Sequence, residues 1–283
     1  MDNKKIQAAG KLETNISPTF SSSSLLQPSS HGYFFSLSTT ALPAWNILKG
    51  KTAAITGGTT RIGRAIVLEY ICQGCNVAVN HLSLPKDEVH CHSLIEEVKA
   101  LEKQSINAGK ILETSGDVTS PETSKTLVQE AVGQWGKLDI FMANAGVFYS
   151  CQAAACQMVQ QGHGGSIIGV SSVSALVGGG LQTHYTLTKA AILSMMQSMA
   201  IALRKNKIRC NALLPGTINT QLADHDMKNP TKKAALEARI PLGCIGSPQD
   251  MAGPAVFSVS EEMSRYVNAS GLLADGGMYS NLQ

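Results

Sequence analysis

Thr56-Gly57-Gly58-Thr59-Thr60-Arg61-Ile62-Gly63 decides how this chain is read. It follows Thr52-Ala53-Ala54-Ile55, a short run with strand character, and leads into Arg64-Ala65-Ile66-Val67-Leu68, where a helical pattern opens. Glycines in such a turn let backbone amides approach a pyrophosphate, and the helix N-terminus then faces the negative charge. Taken alone, the run is explained equally well as a tight connection. Asp117-Val118 and Asn144-Ala145-Gly146 give it weight. They follow the third and fourth expected strands, so all three segments fall at the carboxyl ends of strands, where open α/β sheets bind ligands.

Outward from this motif, short aliphatic or β-branched runs alternate with longer helical patterns. Strands are expected at 52–56, 76–80, 138–143, 166–170, 208–214 and 272–273, with a weaker one near Ile111. Helices are expected at 64–73, 89–104, 121–134, 148–160, 184–204 and 248–259. The alternation predicts an α/β fold, a doubly wound parallel sheet in a single domain over 45–283. Residues 1–44 differ, gathering Ser21 to Ser24, Ser29, Ser30, Thr39 and Thr40 with Pro18, Pro28 and Pro43, and they predict a disordered Ser/Thr-rich extension. A targeting peptide there is disfavoured by the missing arginine and apolar h-region.

Composition sets outer bounds. The 283 residues are 43% hydrophobic and 15% charged, and 23 basic against 20 acidic residues leave +3 with no basic run, so nucleic acid is not an expected partner. No apolar stretch reaches the roughly 20 residues of a membrane span. Seven scattered cysteines predict reduced thiols and a cytoplasmic location rather than a disulfide framework. No metal site is expected either. Cys72-Gln73-Gly74-Cys75 has no second pair, and the consecutive His90-Cys91-His92 would not face one another on a helix.

Ser172, Tyr185 and Lys189 are the candidate catalytic residues. Tyr185 and Lys189 stand one helical turn apart on one face, which sets an ammonium near a phenol. A free phenol, with a pKa of about 10, is a poor base at neutral pH unless a cation favours the phenolate. Ser172 ends a strand and can hydrogen-bond the reacting oxygen while Tyr185 exchanges its proton. Together with the glycine turn, the pair implies acid/base chemistry beside a dinucleotide.

On these motifs the stretch 51–283 resembles the short-chain dehydrogenase/reductases. The resemblance implies a Rossmann-like fold, with the catalytic Ser, Tyr and Lys of that family at Ser172, Tyr185 and Lys189. It implies cofactor contacts at Thr56, Gly57, Arg61, Ile62, Gly63, Asn80, Asp117, Val118 and Asn144. Pro215, Gly216, Ile218 and Thr220 correspond to the segment at the nicotinamide end, and Asp275-Gly276-Gly277 is a further likeness. Within the family, residues 171–189, Ile208-Arg209-Cys210-Asn211-Ala212 and Asn281-Leu282-Gln283 are most similar to the L-rhamnose 1-dehydrogenases, which oxidise a sugar hemiacetal to a lactone with NAD or NADP. Ser174, Gln182 and His184 are then candidate substrate contacts, and Thr183 stands with them; helix capping explains Gln182, Thr183 and His184 equally well. A small-molecule substrate and a homo-oligomer, if the shortened crossover helix permits it, complete the expectation.

The second strand ends Val79-Asn80-His81 with no acid to bind a ribose 2′-hydroxyl, and Arg61 and Arg64 add positive charge at that corner, so NADP is expected over NAD. Two departures from the family stand out. Arg61 takes the place of a glycine, where a side chain is expected either to crowd the pyrophosphate or to need a φ that arginine dislikes. The crossover 147–165 is short and carries none of the usual relay Asn, no Asn occurring between Asn144 and Asn206. One helix still suffices to close a parallel connection, with Phe148, Ala155 and Val159 expected on its sheet-facing side. Two rivals to a sugar dehydrogenase follow: a ketoreductase of specialised metabolism, and a nucleotide-binding protein without turnover.

Overall fold

The computed structural model describes residues 46–105, 107–220 and 229–281, so the extension expected over 1–44 lies outside the described residues. Seven strands form one parallel sheet: β1 (Thr52–Thr56), β2 (Asn76–His81), β3 (Ile111–Ser115), β4 (Ile140–Ala143), β5 (Gly165–Val170), β6 (Ile208–Pro215) and β7 (Gly271–Ala274). Their order is β3-β2-β1-β4-β5-β6-β7. The winding reverses between β1 and β4, which pair from Ala53↔Ile140 to Thr56↔Ala143, and a crevice opens beyond their carboxyl ends.

Period-two alternation sends successive side chains to opposite faces. Ile55, Ile140 and Met142 pack under α1 (Arg61–Cys72) and α2 (Pro85–Gln104), where Ile66, Tyr70, Leu94 and Val98 meet them. Ala54, Phe141 and Ala143 pack under α3 (Pro121–Trp135), α4 (Val147–Gln161) and α5 (Thr183–Ala202). Two short helices, α6 (Pro230–Ala238) and α8 (Glu261–Ser264), were not expected from the pattern, and α7 (Ala252–Val259) joins α1 on the first face. The fully buried Tyr70 satisfies its hydroxyl by donating to Ala255 O at 3.2 Å, tying α1 to α7.

Several boundaries move for identifiable reasons. β4 starts at Ile140 rather than 138 because Gln161 takes both backbone groups of Leu138, its Oε1 accepting from Leu138 N (2.9 Å) and its Nε2 donating to Leu138 O (3.0 Å). α2 begins at Pro85, since proline at the first helical position loses no hydrogen bond. The expected helix over 248–259 is a 3-10 turn, Pro248–Met251, followed by α7. The sheet-facing side of α4 is Cys151, Ala154 and Met158; Phe148 is 61% exposed and Val159 faces outward. Both sets have helical spacing. The small residues allow close approach to the sheet, and Gly146, left-handed at φ +55°, fixes the angle at which the chain enters the helix.

Candidate active site

The crevice is a cleft of about 540 Å³ lined from the ends of six strands, β1 to β6, within the usual range for a small-molecule site. The glycine turn supplies Gly57, Thr59, Thr60, Arg61 and Ile62; β2 supplies Asn80 and His81; β3 and β4 lead to Asp117, Val118, Asn144 and Ala145. The far end is walled by Ser172, Tyr185, Lys189, Pro215, Gly216, Ile218 and Thr220. Every catalytic candidate and all but two of the cofactor candidates therefore meet in one cavity. The exceptions, Thr56 and Gly63, stand behind it. Thr56 Oγ1 donates to Ala145 O (2.6 Å) and accepts from Ala145 N (3.0 Å), pinning the end of β1 to the turn after β4. A Cβ on Gly63 would stand 2.2 Å from Gly57 O, so only glycine lets α1 start against the turn.

Asn144 Nδ2 donates to Gly57 O at 2.9 Å, so the turn after β4 braces the glycine turn. Helix α1 begins at Arg61, which is left-handed at φ +55° as the lost glycine implied. The conformation costs a non-glycine residue about 1–2 kcal/mol. The cradle fits a dinucleotide pyrophosphate: a helix N-terminus and a glycine turn open into one cleft.

At the β2 corner the charge balance differs from the expectation. Arg64 is absent from the cleft lining. Its guanidinium bonds Glu97 at 2.7 Å, Ser93 Oγ at 3.2 Å and His90 O at 3.1 Å, so it clamps α1 to α2. Asn80, 2% exposed, turns its Nδ2 to Thr114 O (3.3 Å) and Gly116 O (3.0 Å), closing β2 onto the exit of β3. Asp87, from the first turn of α2, lines the cleft with a buried Oδ2 that lacks a hydrogen-bond partner. Asp87 lies beyond the strand end where an acid was expected, and its place in the first turn of a helix was the available signal.

Ser172 caps a 3-10 turn, Val173–Ala175, its Oγ accepting from Ser174 N at 3.1 Å. Lys189 Nζ donates to Val170 O at 3.0 Å and lies 5.5 Å from the Tyr185 ring centroid, while Ser171 Oγ donates to Lys189 O at 2.7 Å. The end of β5 and the first turns of α5 are thus locked together. Burial pushes the Lys189 pKa below that of a solvated lysine. Ser174, Gln182 and His184 are not part of the cleft lining. Ser174 Oγ donates to Gln182 Oε1 at 3.3 Å, and His184 is exposed next to Tyr185.

A doubly wound parallel sheet whose switch-point cleft holds a glycine turn and a Ser-Tyr-Lys cluster defines a dinucleotide-dependent oxidoreductase. Residues 51–153 match the family model described as short chain dehydrogenase, and 145–279 match that of Enoyl-(Acyl carrier protein) reductase. The chain belongs to the short-chain dehydrogenase/reductase family. An L-rhamnose-1-dehydrogenase of Scheffersomyces stipitis is 49% identical, covering 84% of this chain and 99% of the relative. An L-rhamnose 1-dehydrogenase (NADP(+)) of Thermoplasma acidophilum is 36% identical, covering 83% and 98%. A solved gluconate 5-dehydrogenase from Burkholderia cenocepacia in complex with NADP and tartrate is 25% identical with a TM-score of 0.73, covering 82% of this chain and 96% of its own. The Scheffersomyces alignment spans 262 positions yet engages only 84% of these 283 residues, so that relative carries residues with no counterpart here.

Proposed function

We propose that this protein oxidises the anomeric hydroxyl of L-rhamnose or a close stereochemical relative to the lactone, using NADP in preference to NAD. The observation that carries the reading is the 49% identity to an L-rhamnose-1-dehydrogenase over nearly that enzyme's whole length. Relatives named for use of NAD(P)(+) and of NADP(+) support the cofactor. When bound, the nicotinamide accepts the hydride that leaves the anomeric carbon. Ser172 Oγ holds the reacting hydroxyl, Tyr185 Oη takes its proton, and Lys189 favours the phenolate and holds the nicotinamide ribose. Ser174, Gln182 and His184, outside the cleft lining but flanking Tyr185, are the residues proposed to bind the remaining sugar hydroxyls.

The protein works in the cytoplasm as a homo-oligomer. All seven cysteines are free thiols, which suits a reducing compartment, and no described helix is long and apolar enough to cross a membrane. Leu187 and Ile201 on α5 are 71% and 65% exposed, apolar surface that a second copy would cover.

The test is a nicotinamide-fluorescence assay with L-rhamnose, other aldoses, polyols and bulky ketones, run beside a cofactor titration. Turnover greatest with L-rhamnose and NADP supports the proposal. Turnover confined to ketones replaces it with the ketoreductase reading, and cofactor binding without turnover on any substrate replaces it with that of a nonenzymatic binder.

A further inference from the structure

We propose that His81, Cys91 and Glu113 form a binding site for a borderline-soft divalent cation, Zn2+ by the chemistry of its donors, at the β2–α2–β3 corner. Their ligand atoms lie within 4.8 Å of one another. The backbone brings them together across 32 residues of sequence. Val79 pairs with Glu113, so His81, two residues beyond Val79, points to the same side of the sheet as Glu113. Helix α2 covers that side and buries Cys91 together with Leu94 and Val98. His90 and His92, the neighbours that made this stretch conspicuous in the sequence, take no part.

The donor set matches the ion. Thiolate sulfur, imidazole nitrogen and carboxylate oxygen are its three protein ligand types, and tetrahedral bonds of about 2.0–2.3 Å put donors about 3.5 Å apart, against 2.9 Å between Cys91 Sγ and Glu113 Oε2 and at most 4.8 Å for any pair here. His81 is already held as a ligand would be. Its Nδ1 lies 2.8 Å from Leu82 O, which can only accept, so Nδ1 carries the proton and Nε2 keeps its lone pair. Cys91 Sγ donates to Glu113 Oε2 at 2.9 Å. In the metal-free protein burial, with Glu113 beside it, pushes the thiol up to about 12, so the pair rests as a neutral thiol on a carboxylate. On binding, the S–H bond breaks, its proton leaves to solvent, and the sulfur electron pair passes to the cation.

Charge and access agree. Glu113 is exposed and gives the ion a way in, and Glu88 adds negative charge. Arg64, the nearby cation, is engaged by Glu97. Asp87, one helical turn before Cys91, shares the cleft wall with His81 but stands outside the group of mutually close ligand atoms, so a water takes the fourth position. The inference is independent of the substrate reading above.

The experiment is a titration of the full chain, stripped of metal and of any histidine tag, with Co2+ alone and then Zn2+ in competition. We expect one Co2+ per chain, a near-ultraviolet thiolate-to-cobalt charge-transfer band, the visible bands of four-coordinate cobalt, and loss of both on adding Zn2+. Cys91→Ser abolishes the charge-transfer band, whereas Cys156→Ala, which removes an exposed thiol elsewhere, leaves it unchanged. Glu113→Gln, on the surface and still able to accept the thiol proton, keeps the fold but weakens binding at least about tenfold. At a hundredfold excess over Kd, Zn2+ raises the melting temperature of the wild type by about 5–10 °C and that of Glu113→Gln by clearly less. No charge-transfer band in the wild type, or an equal band in Cys91→Ser, overturns the proposal, and neither result bears on sugar oxidation.

Discussion

Asn80→Asp tests whether the end of β2 can be treated as a cofactor switch. On charge alone the substitution favours NAD, because a carboxylate accepts from a ribose 2′-hydroxyl and repels a 2′-phosphate. The side chain it replaces has other partners. Asn80 Nδ2 supplies Thr114 O at 3.3 Å and Gly116 O at 3.0 Å from a site only 2% exposed. Aspartate has no donor to offer, so two carbonyls lose their partner and an anion is set against them. At about 1–3 kcal/mol for each buried group left unsatisfied, the loss is about 2–6 kcal/mol. For a chain of this size that lowers the melting temperature by roughly 5–20 °C. The damage spreads to the pyrophosphate cradle, since Gly58 N donates to Asn80 O at 3.2 Å. We therefore expect weaker binding of both NADP and NAD, with no clean reversal of preference. Thermal melts and kcat/KM for NADPH and NADH, measured below the melting range of both proteins, decide it. A variant as stable as the wild type that prefers NADH would refute the reasoning.

Tyr185→Phe keeps the ring and removes the exchangeable proton, so turnover should fall at least about a hundredfold while cofactor titration is unchanged; equal turnover would remove Tyr185 from the mechanism. Because burial lowers the Lys189 pKa, its ammonium is lost at a lower pH than in a solvated lysine, and with it the support for the phenolate. The pH profile of sugar oxidation should accordingly turn down below the usual lysine range, and Lys189→Arg should remove the alkaline fall whatever its effect on the maximum. Inserting a family-like segment with the relay Asn after Gly146 should raise kcat more than it changes cofactor affinity, because the cradle of β1, α1 and β2 lies before the insertion. Full activity of the short form, with no gain, would make the relay dispensable here.

What the sequence determined by itself is whatever depends on neighbours along the chain. A glycine turn between strand and helix, a Tyr and a Lys one turn apart, and the alternation of strand and helix are local patterns, and they were enough for the parallel sheet and the cleft at its switch point. Even the strain at Arg61 was legible, because the turn demands a left-handed residue whatever the remainder of the chain does. Tertiary structure decided the direction in which side chains of equal local promise point. Arg64 and Arg61 look alike as cations at one corner, but Glu97, 33 residues on, draws Arg64 onto α2. Asn80 lines the cleft as the sequence suggested, but only the arrival of β3 shows that its Nδ2 is spent on the carbonyls of Thr114 and Gly116. The α4 faces defined by Phe148 and by Cys151 share the same period, and only contact with the sheet selects the one with small residues. His81, Cys91 and Glu113 are brought within reach solely by the pairing of β2 with β3 beneath α2, a register enforced by burial of the whole face and carried by no local motif.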